Sequence, residues 1–222
     1  FSAGTAVTTG VNNTLIGGLA GDALTDADAN VALGAFALGA DTLGSKSVAI
    51  GDSALATQNF TTATDSHNVA VGFSAGNDIT TGIQNVFIGA LAGDALTDAD
   101  FNTAVGYGAL SSDTLGNRNV AVGTNALATQ NFTTATNAYN TAVGESAGVS
   151  ITTGAQNDLF GGLAGDALTD ADFNVALGFA TLSADTLGSR STAVGHSALA
   201  TQNFTTATDT YNTAVGFYAG VA

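Results

Sequence analysis

The 222-residue chain has no Cys, Pro, Met or Trp, and only three of its residues are basic. Without Cys there are no disulfides, no thiolate-bound structural zinc and no thiol catalysis. Against three Lys and Arg stand 18 Asp and Glu, so the formal net charge is −15. That charge repels phosphates and anionic headgroups, which argues against nucleic acid and anionic membrane surfaces as partners. No apolar run approaches the roughly 20 residues of a membrane helix, and membrane insertion of this segment is not expected. No signal peptide is visible, and the missing initiator Met points to a processed chain or a segment of a longer one. The two His, His67 and His196, occupy different repeat positions and form no metal pair. No Ser–His–Asp set recurs and the glycines form no strand–G-x-G-x-x-G–helix unit, so neither an enzyme nor a nucleotide site is expected.

What the chain has is repetition. GDALTDAD stands at 21–28, 93–100 and 165–172, which sets a 72-residue period. Inside it runs a shorter motif, N-x-A-[VIL]-G-x-x-A-[LG], seen as NTLIGGLAG (13–21), NVALGAFAL (30–38), SVAIGDSAL (47–55) and NVAVGFSAG (68–76). Its starts, at 13, 30, 47, 68 and 85, step by 17, 17, 21 and again 17. Four coils make one 72-residue unit, giving about 12 coils and super-repeats at approximately 1–72, 73–144 and 145–216, with 217–222 starting the next.

The first motif position is Asn except at Ser47 and Ser191, and the fifth is Gly throughout. Alternating small and large side chains are strand periodicity. A fixed Gly marks a bend or a close backbone approach. Asn at the corner tolerates the left-handed conformation, and stacked coils place Asn over Asn at about 4.8 Å, where amides form a ladder. TLG (42–44), ITTG (79–82) and FTTAT (60–64) place a second short strand in each coil. The expected fold is all-β, a parallel β-solenoid or β-roll in a single array, with Gly34, Gly51 and Gly72 in one axial column. A β-sandwich does not need a motif at so short and regular a spacing, and three units are too few for a propeller. The large apolar position and the Ala/Gly face point opposite ways. One face fills the coil interior, and the Ala/Gly face is expected to pack against another chain in a trimer or fibre. FSAG at 1–4 matches FSAG at 73–76 and FYAG at 217–220, which suggests a slice of a longer fibre or a unit that stacks end to end.

NTAVGYGAL (102–110), NVAVGTNAL (119–127) and NTAVGESAG (140–148) resemble the 17-residue repeats of phage-tail-fibre-like and bacterial surface-fibre proteins. SVAIGDSAL is similar to the head repeats of trimeric autotransporter adhesins. The resemblance implies a fibrous β-roll and, from the adhesin heads, a trimer of left-handed parallel coils; the coils here are longer than those of the heads.

TQNFTTAT recurs unchanged at 57–64, 129–136 and 201–208, inside the 21-residue coil. Three readings stand: a loop whose Phe covers the core while its Thr residues make strand hydrogen bonds, a glycan attachment site, or a binding loop. Asn59, Asn131 and Asn203 each head an N-x-T acceptor for N-linked sugar; Asn12 heads a fourth that the other units lack. Asp26 and Asp28, Asp98 and Asp100, and Asp170 and Asp172 have the D-x-D-x-N spacing that opens many Ca²⁺ loops, though a turn or a solvated acidic edge uses the same residues. Lys46, Arg118 and Arg190 each lie five positions after an Asp, and pairing between adjacent coils or chains is expected. Together these features lead to a non-enzymatic extracellular protein: a cell-surface fibre, secreted fibril or virion fibre whose partner is itself. The alternative is a tail fibre or adhesin head that binds host-surface glycans.

Overall fold

The computed structural model describes residues 2–221, so Phe1 of the first FSAG and Ala222 lie outside the described residues. The chain is all-β, with no helix among the described residues. Twelve short strands, from Thr14–Ile16 to Thr213–Val215, form one parallel sheet in strict chain order. Thr14 pairs with Val31, Val31 with Val48, Val48 with Val69 and Val69 with Val86. The pairing follows the spacing of the motif starts, including the longer fourth step, so each coil contributes one strand and the chain is a β-solenoid of twelve turns. At about 4.8 Å per coil the rod is roughly 55–60 Å long.

The fifth-position glycines stand in one column. Their φ values run from 125° to 145°, a region closed to side chains. A Cβ on Gly34 would run into the carbonyl oxygen of Gly51, and one on Gly72 would lie 2.5 Å from that of Gly89. Both the conformation and the contact require glycine there.

Three expectations change. The left-handed corner is the residue before the motif Asn, such as Ala29 (φ 56°), Lys46 (62°) or His67 (52°), and not the Asn. Asn30, Asn68 and Asn85 are instead fully buried, because their amides serve the coil interior. Among the described residues the second strand exists only where the 21-residue coil meets the coil before it: Gly44–Ser45 with Thr64–Asp65, Gly116–Asn117 with Thr136–Asn137, and Gly188–Ser189 with Thr208–Asp209. Finally, the Ala face is the interior. Ala32, Ala49 and Ala70 at mid-strand and Ala37, Ala54 and Ala75 at the eighth position are wholly buried, while Leu33 and Ile88 are 42% exposed. A coil this short is too narrow to hold a large residue from every strand, so the large positions face outward.

The interior explains why the period spans four coils and not one. Coils ending the motif in Leu (Leu38, Leu55, Leu110, Leu127) carry a polar Asp or Gln three positions on: Asp41, Gln58, Asp113 and Gln130. Coils ending it in Gly (Gly21, Gly76, Gly93, Gly148) carry Leu24, Ile79, Leu96 and Ile151 at that later place. Bulky mid-strand residues occur only in the first coil of each unit, at Leu15, Phe87 and Leu159. A Cβ on Gly76 would lie 2.6 Å from the Phe87 ring, and one on Gly93 would lie closer still. The ring therefore occupies the volume that the two flanking glycines leave open. Close packing demands this exchange between neighbouring coils.

Gly72→Ala should destabilise the rod by at least about 2 kcal/mol, from backbone strain and the clash with the Gly89 carbonyl. Gly162→Ala, whose new Cβ has no contact nearer than 3.5 Å, should change stability by less than about 0.5 kcal/mol. Thermal denaturation of both variants checks the pair of outcomes.

Candidate functional site

Two features distinguish this rod from a plain stack: a line of buried polar groups inside it and an apolar face outside. The polar line begins with the motif Asn. The Oδ1 of Asn30 accepts the N–H of Ser47 at 2.8 Å, and its Nδ2 donates to the Gly44 carbonyl at 2.9 Å. Asn68 accepts the N–H of Asn85 at 2.9 Å and its Nδ2 at 3.3 Å. The expected amide ladder is present, and each rung also caps a backbone N–H of the next coil. A buried amide without such partners would cost about 1–3 kcal/mol.

Beside the ladder lie the carboxylates of Asp41, Asp113 and Asp185. Asp41 Oδ1 accepts the N–H groups of Gly44 and Phe60, each at 3.0 Å, and Oδ2 accepts Gln58 Nε2 at 2.6 Å. Gln58 Oε1 in turn accepts Asn68 Nδ2 at 2.9 Å. Gln130 and Gln202 repeat the bridge to Asp113 and Asp185. Burial pushes the Asp41 and Asp113 carboxyls above the ordinary 3.8, and the hydrogen bonds from Gln and backbone pull them partly back. Burial also raises Asp94 and Asp166, whose Oδ1 atoms are buried without a partner.

This network accounts for much of the repeated octet. Thr57 Oγ1 donates to the carbonyls of Asn77 and Ile79, Gln58 joins Asp41 to Asn68, and Phe60 is 5% exposed with its N–H on Asp41. One octet thus ties three successive coils together. The extra length of this coil divides unevenly: Thr61, Thr62 and Ala63 form the exposed loop, and Ser66 turns inward. Nothing in the structure explains why Thr61 and Ala63 are also unchanged. The inward residue differs among units for a reason hidden from the sequence. Where the motif begins with Ser47 or Ser191, it is Ser66 or Thr210 and bonds that serine's hydroxyl. Where the motif begins with Asn119, it is Ala138, and Asn119 Oδ1 reaches the Asn140 N–H itself at 3.2 Å.

The other sequence-derived sites are also placed. Asn59, Asn131 and Asn203 are exposed at the octet, and Asn12 is exposed at the first coil. The Oδ1 atoms of Asp26, Asp98 and Asp170 accept the Thr9, Thr81 and Thr153 hydroxyls of the preceding coil. Those of Asp28, Asp100 and Asp172 accept the N–H groups of Val11, Ile83 and Ala155. The D-x-D pairs therefore bond coil to coil, and among the described residues no group of three or more His, Asp or Glu converges on a metal site. Lys46 and Arg190 do pair with the adjacent coil, but with Asp65 and Asp209 and not with the Asp five positions earlier, which is buried. At the position equivalent to Asp65 and Asp209 the second unit has the neutral Asn137, and Arg118 stacks 4.5 Å over the Phe101 ring.

The outer face of the long sheet is built from the first and third residue of each strand. These are Val, Thr, Ile, Leu or Phe in every strand, with Asp158 the one charge. Leu177 is 49% exposed and Phe160 40%. The Ala row expected to face another chain lies inside the coil, because the sequence reading did not weigh how narrow the coil is. Beyond the fold, identification by likeness stops here: no protein family, curated protein or solved structure matches the chain.

The raised carboxyls make stability depend on pH. Their folded pKa lies above the unfolded value, so they add most stability below about pH 3.8 and lose it as pH rises through the folded pKa. The melting midpoint should therefore rise on acidification from pH 7 toward pH 4. In Asp41→Asn/Asp113→Asn the slope should be shallower, with Asp94 and Asp166 leaving a remainder. Circular dichroism melts across that range test this, and identical slopes in both proteins would count against it.

Proposed function

We propose that this chain is a non-enzymatic structural segment of an extracellular fibre, in which solenoid rods associate sideways through the outer sheet face. The observation that carries this reading is the apolar face itself, twelve strands long with a single charge on a chain of net charge −15. Its third-position row is Ile, Leu, Val or Phe in all twelve strands, and a contiguous apolar row of this length marks an interaction site. Twelve short strands make a face of roughly 600 Å², on the order of the ~800 Å² per partner in a specific interface. A second copy of the rod is the partner whose side-chain rows have the same axial spacing. Burial of polar side chains in coil-to-coil bonds supports a mechanical role, since those bonds stiffen the rod along its axis. The likeness to bacterial surface-fibre and adhesin-head repeats agrees with this reading and with a trimeric bundle.

A second reading is favoured by the exposed rings of Phe73 (58%), Tyr107 (57%) and Phe217 (73%). Aromatic faces of this kind suit the host-surface glycans of a tail fibre or adhesin head. Sugar carried at Asn59, Asn131 and Asn203 belongs to either reading, as a sheath on exposed loops.

Negative-stain images of the native protein should show bundled rods or filaments. Leu33→Lys/Leu177→Lys, which changes only outward positions, should give single rods with an unchanged β-sheet spectrum. Single rods from the unaltered chain would overturn the lateral contact. Intact mass of native material should exceed 21.6 kDa if the acceptor sites carry sugar; the bare value would exclude it.

A further inference from the structure

The residues just before the motif Asn form a column of left-handed corners that point outward. From the sixth coil onward they read Phe101, Arg118, Tyr139, Gln156, Phe173, Arg190 and Tyr211. The Arg118 guanidinium lies 4.5 Å over Phe101 and 5.9 Å over Tyr139. Arg190 repeats the arrangement at the same distances from Phe173 and Tyr211. Twice, then, a cation sits between two rings set two coils apart.

Between these two stacks is a third interval of the same kind, from Tyr139 to Phe173, and its middle residue is the shorter, neutral Gln156. An open cavity occupies it, lined by Tyr139, Gln156, Asp158 and Phe173. Asp158 is the one charge on the outer sheet positions, where other strands place Val or Thr. The ion pairs among the described residues are Lys46–Asp65 and Arg190–Asp209, so no cation faces the Asp158 carboxylate. Each of the chain's three cations is already engaged, and an occupant comes from outside.

The geometry points to a receptor slot for an external guanidinium or alkylammonium group, held between the Tyr139 and Phe173 rings with Asp158 as its counter-charge. The ring faces attract the cation electrostatically, the carboxylate adds a charge-assisted hydrogen bond, and the Gln156 amide oxygen accepts another N–H. The chain's own Arg118 and Arg190 show the same chemistry in the neighbouring intervals. Asp158 stands on the sheet face at the position next to the corner column, so the slot borders the proposed lateral contact but differs from it in recognising one cationic group and not an apolar surface.

The test is saturation-transfer NMR on the intact chain with methylguanidinium, its neutral isostere methylurea, and methyl glucoside. Methylguanidinium should bind with a Kd on the order of 1 mM, and the two neutral probes should give no transfer. Asp158→Thr restores the residue that other strands use there, and it should weaken binding by roughly fivefold. Phe173→Leu should weaken it similarly, while Phe73→Leu, a ring elsewhere on the rod, should leave it unchanged. N-acetylarginine methylamide separates the sources of the group: affinity equal to methylguanidinium means the cation alone is read, and tighter binding means a polypeptide side chain. Equal transfer to methylurea or methyl glucoside, or an unchanged Kd in Asp158→Thr, overturns the proposal.

Discussion

Hydrogen bonds that run along the rod, from each coil to the next at the same motif position, are the constraint on which the rest depends. They hold Val over Val, Ala over Ala and Asn over Asn. In-register stacking at this spacing forbids a side chain at the glycine column, because a Cβ there would enter the carbonyl of the following coil. It also lets a buried Asn be satisfied on both sides, since the coil above and the coil below present the same groups. A shift of one position would turn the Ala row outward and the large apolar row into a bore too narrow for it.

Stacking of like on like has a second consequence. A change of size or polarity in one coil is felt by its two neighbours, so variation must be exchanged locally. Phe87 is accommodated by Gly76 and Gly93, and a buried Asp in one coil is met by a Gln in the next. Ser47 with Ser66 and Asn119 with Ala138 follow the same rule at the ladder. The four-coil unit is the smallest block that closes these exchanges: two coils with a polar interior position, flanked by two with Leu or Ile. A buried carboxylate is costly unless hydrogen-bonded, and the octet supplies both the Gln amide and the Phe60 N–H that Asp41 needs.

A thin rod cannot bury all its apolar residues by itself. The chain is 45% hydrophobic, and its interior takes mostly Ala with one or two larger apolar residues in most coils. The remaining Val, Ile, Leu and Phe lie outside in rows, where the proposed sideways association would remove them from water. Most acidic residues lie away from that face, at corners and in inter-coil bonds, so the high net charge leaves the face almost uncharged. Interior polarity ties the coils together along the axis, and exterior apolarity is what the proposed fibre would use across it.

The solenoid, its twelve coils, the parallel stacking and the glycine column were all legible in the spacing of the repeats, because a short fixed period with one strand per coil leaves no other economical way to pair strands. The amide ladder was legible for the same reason. The direction of each face was not, because alternation along a strand shows that two faces differ without showing which one the coil can enclose. The octet was legible only in part: its Phe was expected to cover the core, and Phe60 and Phe132 are buried, but the action of Gln58 and the Phe60 N–H on Asp41 in the coil before was not. The tertiary structure decided both: the width of the bore selects Ala for the inside, and contact between coils, not order along the chain, makes Asp41, Gln58 and Asn68 a single network.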